Sequence, residues 1–257
     1  SAAVQRAALT QALHHIGGRD AFGAKLSDQP LMREVVADLA VEVQAAAALF
    51  LRLASAVDRG EAPLLRLAVA AAKFWVCKRA PMVVGEALEC LGGAGYVEES
   101  PLPRYFRESP LNSIWEGSGN VIALDVVRAV SREPASVQAL QDELALSAGA
   151  DPRLDATVGE LGKRLANLGP DPDADARSAR GVAGLLARTL QAGLLVRAAG
   201  PGDPGSCAVA EAFLATRLGS DGPGVFGAGP SGGGFGRATV DAVLDYSDPN
   251  RAGSDRA

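Results

Sequence analysis

The segment Ile114-Trp115-Glu116-Gly117-Ser118-Gly119-Asn120 holds the residue types and spacing best suited to chemistry. A single carboxylate, Glu116, stands between two bulky apolar residues and a run of small ones. Against a dry wall a carboxyl group is harder to ionise, which makes it a stronger base near neutral pH. The glycines on its C-terminal side let a ligand come close to the backbone. The plainer alternative is a glutamate at a helix entrance paired with a nearby arginine.

Other candidate motifs carry less. Gly227, Gly229 and Gly232 spell G-x-G-x-x-G, but a dinucleotide fingerprint needs a strand before it and a helix after it, and neither is visible. A glycine-rich loop over 220–236 is the reading we adopt. His14 and His15 are the only histidines and form no metal pair, so no metal site is expected. Cys77, Cys90 and Cys207 are scattered and odd in number. They read as small hydrophobes in a reducing, cytoplasmic setting.

The elements that must position Glu116 are helical. The chain has 257 residues, 48% of them apolar and only 5% aromatic, and much of the apolar content is Ala, Leu and Val. Ala and Leu favour helix. Residues 3–16 read as a helix that starts without capping chemistry, which suggests a truncated or split chain. Met32, Val35, Val36, Leu39, Val43, Ala46, Phe50, Leu53 and Val57 recur at helical spacing over 31–59, with Arg33, Glu34, Glu42, Arg52 and Asp58 on the opposite face. A second long helix runs from Pro63 to about Leu91 with a kink expected at Pro81. A loop through Pro101, Pro103 and Pro110 leads to a further helix from Gly119 to just before Pro134. Beyond it, helices are expected at about 135–147, 153–168, 176–199 and 205–218, with a frayed tail after Ser247. No strand alternation stands out. The expected fold is all-α: an up-and-down four-helix bundle over 1–133, then a second helical extension domain over 134–257. No apolar run is long enough for a membrane span.

Two stretches carry a family resemblance. The first is Arg19-Asp20-Ala21-Phe22-Gly23 with Leu26, Gln29 and Leu39-Ala40. The second is Leu91-Gly92-Gly93-Ala94-Gly95-Tyr96 with Arg107-Glu108 and Trp115-Glu116-Gly117-Ser118. In order and spacing the chain resembles the C-terminal helical domain of acyl-CoA dehydrogenases. Trp75 to Pro81, Tyr96 to Ser100 and Pro110 to Asn120 look closer to the AidB-like, alkylation-response branch, which also has a helical C-terminal extension.

The resemblance implies FAD as cofactor, an acyl-CoA thioester as substrate and a homo-oligomer built as a dimer of dimers. It implies that Glu116 removes the α-proton while the β-hydride leaves to the flavin. It places Arg19 at the FAD pyrophosphate, Phe22 and Gln29 near the adenosine of a neighbouring subunit's FAD, and Gly92 and Gly93 at a close approach of the cofactor. Ser118 and Asn120 fall at cofactor-facing positions. Glu89 stands where many members have Gln, and a carboxylate there would repel a pyrophosphate. The family's N-terminal helical and middle β-domains have no counterpart in this sequence, so the chain alone is expected to bind FAD weakly and not to turn over.

The alkylation-response branch is associated with DNA, which gives a second reading. Arg128 and Arg132 lie one turn apart and could reach phosphates of a duplex. Against this, the net charge is −5, and residues 134–257 carry 11 Lys plus Arg against 15 Asp plus Glu. A nonspecific DNA binder should show a basic stripe. A third reading is a pure assembly module whose long helices pack against partner subunits.

Overall fold

Helix-forming residues dominate the sequence, and the computed structural model, which describes residues 1–169, 171–219 and 224–248, is almost entirely helical. α1 spans Ala2–Gly18, and a two-stranded antiparallel hairpin follows, β1 Asp20–Ala21 against β2 Ala24–Lys25. α2 runs Pro30–Asp58 and α3 Ala62–Cys90. Two short helices come next, α4 Gly93–Tyr96 and α5 Leu102–Glu108, and then α6 Gly119–Arg132. The remainder is α7 Pro134–Ala145, α8 Pro152–Ala166, α9 Pro172–Ala198, α10 Pro204–Arg217 and α11 Arg237–Ser247.

Local chemistry explains the boundaries. Pro30, Pro134, Pro152, Pro172 and Pro204 each open a helix, where the missing N–H costs nothing. Three of these prolines follow an aspartate that caps the helix. Asp151 accepts from the Arg153 N–H at 2.8 Å, Asp171 from the Asp173 N–H at 2.9 Å, and Asp203 from the Gly205 N–H at 3.1 Å. Such a cap contributes about 1 kcal/mol. The α9 cap sets its start at Pro172, four residues before the position expected from periodicity. Pro81 sits inside α3 without ending it.

Several expectations are corrected. The hairpin at 20–25 was not foreseen, because two-residue strands are too short to show alternation. The loop expected after Gly95 contains α5 and a 3-10 turn at Leu111–Ser113. On α2, Glu42 belongs to the buried face rather than the polar one, while Phe50 and Val57 are exposed. The tail expected to fray lies outside the described residues from 249 onward.

α3 packs against α1, α2 and α6, and α1 also packs on α2. α9 packs on α2, α3 and α6. One core cluster includes Leu9, Leu39, Val83, Phe213 and Val243. The other includes Leu67, Phe74, Val126, Leu140, Leu161 and Leu186. Residues from both sides of position 133 contribute to both cores, so burial of large side chains, at about 1.5–3 kcal/mol each, couples the two halves of the chain. Among the described residues no helix is long and apolar enough to cross a membrane.

Candidate functional site

Glu116 lies in the loop between the Leu111–Ser113 turn and α6. Its backbone is left-handed, φ 53°, and Gly117 follows with φ 114°. That φ favours glycine at 117, and Ile122, whose Cδ1 would stand 2.7 Å from an added Cβ, would also have to shift. The Lys73 ammonium on α3 donates to the carbonyls of Trp115 at 2.6 Å and Gly117 at 2.8 Å. Ser118 then takes an extended N-cap conformation and α6 begins. Glu116, Ile114 and Trp115 are all exposed. The dry wall expected around Glu116 is therefore not built by this chain, because the left-handed turn leaves the residue at the surface.

The second group of residues sits on the hairpin and at the end of α3. Phe22 and Gly23 both have positive φ, 55° and 84°, as a two-residue hairpin turn demands. The turn leaves Phe22 95% exposed, far beyond what an aromatic ring adopts for stability alone. Gln29 Nε2 donates to the Ala21 carbonyl at 3.3 Å and braces the hairpin. Gly92 ends the approach of α3 with φ 58°. A cleft of about 460 Å³ brings together His15, Arg19, Phe22, Glu89, Gly92 and Gly93. His15 is held below its ordinary pKa by partial burial and by the charges of Arg19 and His14. The same cleft is lined by Arg19 and Glu89, residues of opposite charge.

Arg19, Phe22, Gly92 and Gly93 are gathered in one place, and Gln29 supports them. Ser118 and Asn120 do not line this cleft. Asn120 Oδ1 accepts from Arg180 Nη1 on α9 at 2.8 Å. Arg180 in turn lies over the Phe74 ring, 5.4 Å from its centroid. The side-chain amide N–H₂ of Asn120 is the group left for a ligand. Arg128 pairs with Asp125 at 3.3 Å, while Asp125 and Glu133 both bind Arg66 at 2.8 Å. Arg132 is exposed. The Arg128–Arg132 face is therefore mixed in charge, not a basic stripe.

Sequence reasoning missed several charged residues. Lys73 gave no signal, because its partners are 42 and 44 positions away. A buried cluster also joins α2, α3 and α10. Arg217 pairs with Asp38 and, at 3.0 Å, with Glu42, and Arg79 meets Glu42 at 3.0 Å. Both arginines lie over the Phe226 ring, Arg79 at 5.0 Å and Arg217 at 6.0 Å from its centroid. Burial raises the Glu42 carboxyl, but Arg217 and Arg79 outweigh it and hold the group below the ordinary carboxylate range. The glycine-rich loop closes over this cluster. The Gly227 N–H donates to Asp38 at 2.9 Å, and Val35 Cγ2 would lie 2.7 Å from a Cβ at 227. The described part of that loop, 224–236, is packing rather than a phosphate cradle.

Residues 1–131, which hold both the cleft and the Glu116 loop, match the family model for the acyl-CoA dehydrogenase C-terminal domain. The chain belongs to the acyl-CoA dehydrogenase family. Among curated members of the acyl-CoA dehydrogenase family, it is 44% identical over 169 residues to the putative acyl-CoA dehydrogenase AidB of Escherichia coli, covering 64% of this chain and 31% of AidB. It is 30% identical over 132 residues to cyclohexane-1-carbonyl-CoA dehydrogenase of Geobacter metallireducens, covering 51% of this chain and 34% of that one. The chain thus spans about a third of the length of these relatives. Among solved structures, the apo-form of Bd2924 superposes with a TM-score of 0.68 at 29% identity, covering 76% of this chain and 39% of that chain. An acyl-CoA dehydrogenase from Bacillus anthracis complexed with FAD superposes with a TM-score of 0.65 at 15% identity, covering 96% of this chain and 46% of its own. At that identity the likeness is one of fold, and it extends through the helices beyond residue 131.

Proposed function

We propose that this chain is the helical, base-bearing part of a flavin-dependent acyl-CoA dehydrogenase. The observation that carries the reading is the cleft that gathers Arg19, Phe22, Gly92 and Gly93. These residues fit FAD. A guanidinium fork suits a pyrophosphate. An exposed ring suits an adenosine face. Nothing lies within 4 Å of where a Cβ would project at Gly92 or Gly93, so the backbone is open to a large group. Glu89 opposes the phosphate charge and lowers the affinity.

FAD, when bound, accepts the hydride from the substrate β-carbon. Glu116 takes the α-proton, and an acyl-CoA thioester acidifies that proton enough for a carboxylate to remove it. Ser118 and the Asn120 amide offer hydrogen bonds beside it. Glu116 is surface-exposed in this chain, so the desolvation that strengthens it as a base must come from what covers it in the assembly. The cover we favour is the rest of the enzyme, since this chain spans about a third of its relatives' length. The exposure of Phe22 at 95% and of Leu31, Phe50 and Leu51 at 60–74% supports a homo-oligomer, and a dimer of dimers is the proposed form. With Glu116 and the cleft both open, the isolated chain is proposed to bind FAD weakly and to be inactive.

Duplex DNA is the weaker alternative, since Asp125 and Glu133 interrupt the Arg128–Arg132 face. Retardation of a duplex at low salt that is lost on substituting both arginines would favour it.

The test of the flavin reading is FAD affinity of the assembled enzyme. Arg19→Gln removes one charge-assisted bond, about 1.5–3 kcal/mol, and should weaken FAD roughly 10- to 100-fold. Unchanged affinity would remove Arg19 from the site. Stoichiometric flavin retained by the isolated 257-residue chain would overturn the proposal that it binds flavin weakly.

A further inference from the structure

We infer that Lys73 is the positioning residue of this site: its ammonium clamps the backbone on either side of Glu116 and so sets the direction of the carboxylate. The inference rests on the reading of Glu116 as the base.

The geometry is specific to the loop. The Trp115 carbonyl belongs to the peptide unit that precedes Glu116. The Gly117 carbonyl belongs to the unit that follows Gly117. Lys73 Nζ donates to both, at 2.6 Å and 2.8 Å. The dihedrals between those two fixed units are those of Glu116 and Gly117, and these two residues have positive φ, 53° and 114°. A glycine accepts such a backbone; a glutamate resists it, because its Cβ crowds the backbone. Two carbonyl oxygens turned towards one point also repel each other. A cation between them removes that repulsion and makes two charge-assisted bonds. Without it, Glu116 relaxes towards the right-handed region, and rotation of its backbone swings the Cα–Cβ bond and the carboxylate away.

Lys73 is carried by α3, the helix that packs on α1, α2, α6, α7 and α9, so it refers the loop to a rigid element rather than to another loop. It acts through the backbone and does not touch the carboxylate. Methionine is a good helix former and keeps the aliphatic stem, so Lys73→Met removes the clamp and leaves α3 in place. Arginine retains a cation with donors for both carbonyls.

Hydrogen–deuterium exchange on the 257-residue chain reads the clamp directly. The Trp115 amide, which donates to the Leu111 carbonyl at 3.2 Å beside the clamped carbonyl, should exchange at least about tenfold faster in Lys73→Met, with α3 unchanged and Lys73→Arg close to the original protein. Unchanged exchange at Trp115 would overturn the clamp. The flavin-loaded enzyme then reads positioning through exchange of the acyl-CoA α-hydrogen with solvent. Misplacement of a base by about 1 Å costs on the order of 100-fold. Lys73→Met should lower the maximal exchange rate by about that factor with KM unaltered, and Lys73→Arg should restore most of it. If Glu116→Gln abolishes α-hydrogen exchange and Lys73→Met does not slow it, positioning by Lys73 is wrong. If Glu116→Gln exchanges as fast as the original enzyme, the base reading itself is wrong and Lys73 positions no base, whatever the backbone exchange shows.

Discussion

Replacing Arg217 with methionine tests how the two halves of the chain are held together. Arg217 is 2% exposed and bridges Asp38 and Glu42, both of them equally buried. After the substitution Glu42 keeps Arg79, but among the described residues Asp38 keeps only the N–H of Gly227. Removing one partner of a buried ion pair leaves an uncompensated charge and costs about 3–5 kcal/mol. In a chain of this size that corresponds to a Tm lower by about 6–20 °C. Urea unfolding followed by far-ultraviolet circular dichroism measures it. The pH dependence has a definite sign. The folded Glu42 carboxyl titrates below its unfolded value, so its contribution is present above the unfolded value and fades as pH falls through the folded one. Without Arg217 the burial that raises Glu42 loses its main opponent, so acid unfolding should move to higher pH. A loss below about 1 kcal/mol, with an unshifted acid midpoint, would refute the reasoning and mean that water replaces the guanidinium.

Two further outcomes follow from packing. The Cys90 thiol is pushed up to about 12 by burial and by Glu86 and Glu89, Cys77 is also buried, and Cys207 is exposed. Thiol titration should count a single reactive cysteine in the native protein, lost in Cys207→Ser, and three in denaturant. Gly95→Ala would put a Cβ 2.2 Å from the Leu88 carbonyl oxygen, which is backbone and cannot yield without displacing the end of α3. Thermal melting should show a loss of at least about 2 kcal/mol, whereas Gly149→Ala, where nothing lies within 4 Å and only the backbone φ of 76° is strained, should cost about 1 kcal/mol.

Periodicity and proline placement made most of the fold legible. The segments expected at 135–147, 153–168 and 205–218 correspond to α7, α8 and α10, each of which begins at an Asp-Pro or Glu-Pro pair whose chemistry is local; 176–199 corresponds to α9, whose start at Asp171-Pro172 its periodicity does not show. The hairpin at 20–25 was hidden because two-residue strands have no period to read. Glu42 falls on the polar side when residue type is weighed above position: its partners Arg217 and Arg79 are 175 and 37 positions away, and only those partners make burial tolerable. The Glu116 motif was legible as a motif, but the left-handed backbone at a non-glycine residue and the lysine that holds it depend on α3 and the loop meeting in space. The split of the cofactor-facing residues into a cleft group and the pair Ser118 and Asn120 has the same origin, since α9 brings Arg180 to Asn120.

Anaerobic reduction of the flavin-loaded enzyme by acyl-CoA tests most directly whether Glu116 is the base. Glu116→Gln keeps the shape and removes the proton acceptor. Flavin bleaching should slow by at least about 100-fold, the lower end of what general base catalysis contributes, with FAD affinity unchanged. Bleaching within a few-fold of the original rate would contradict it.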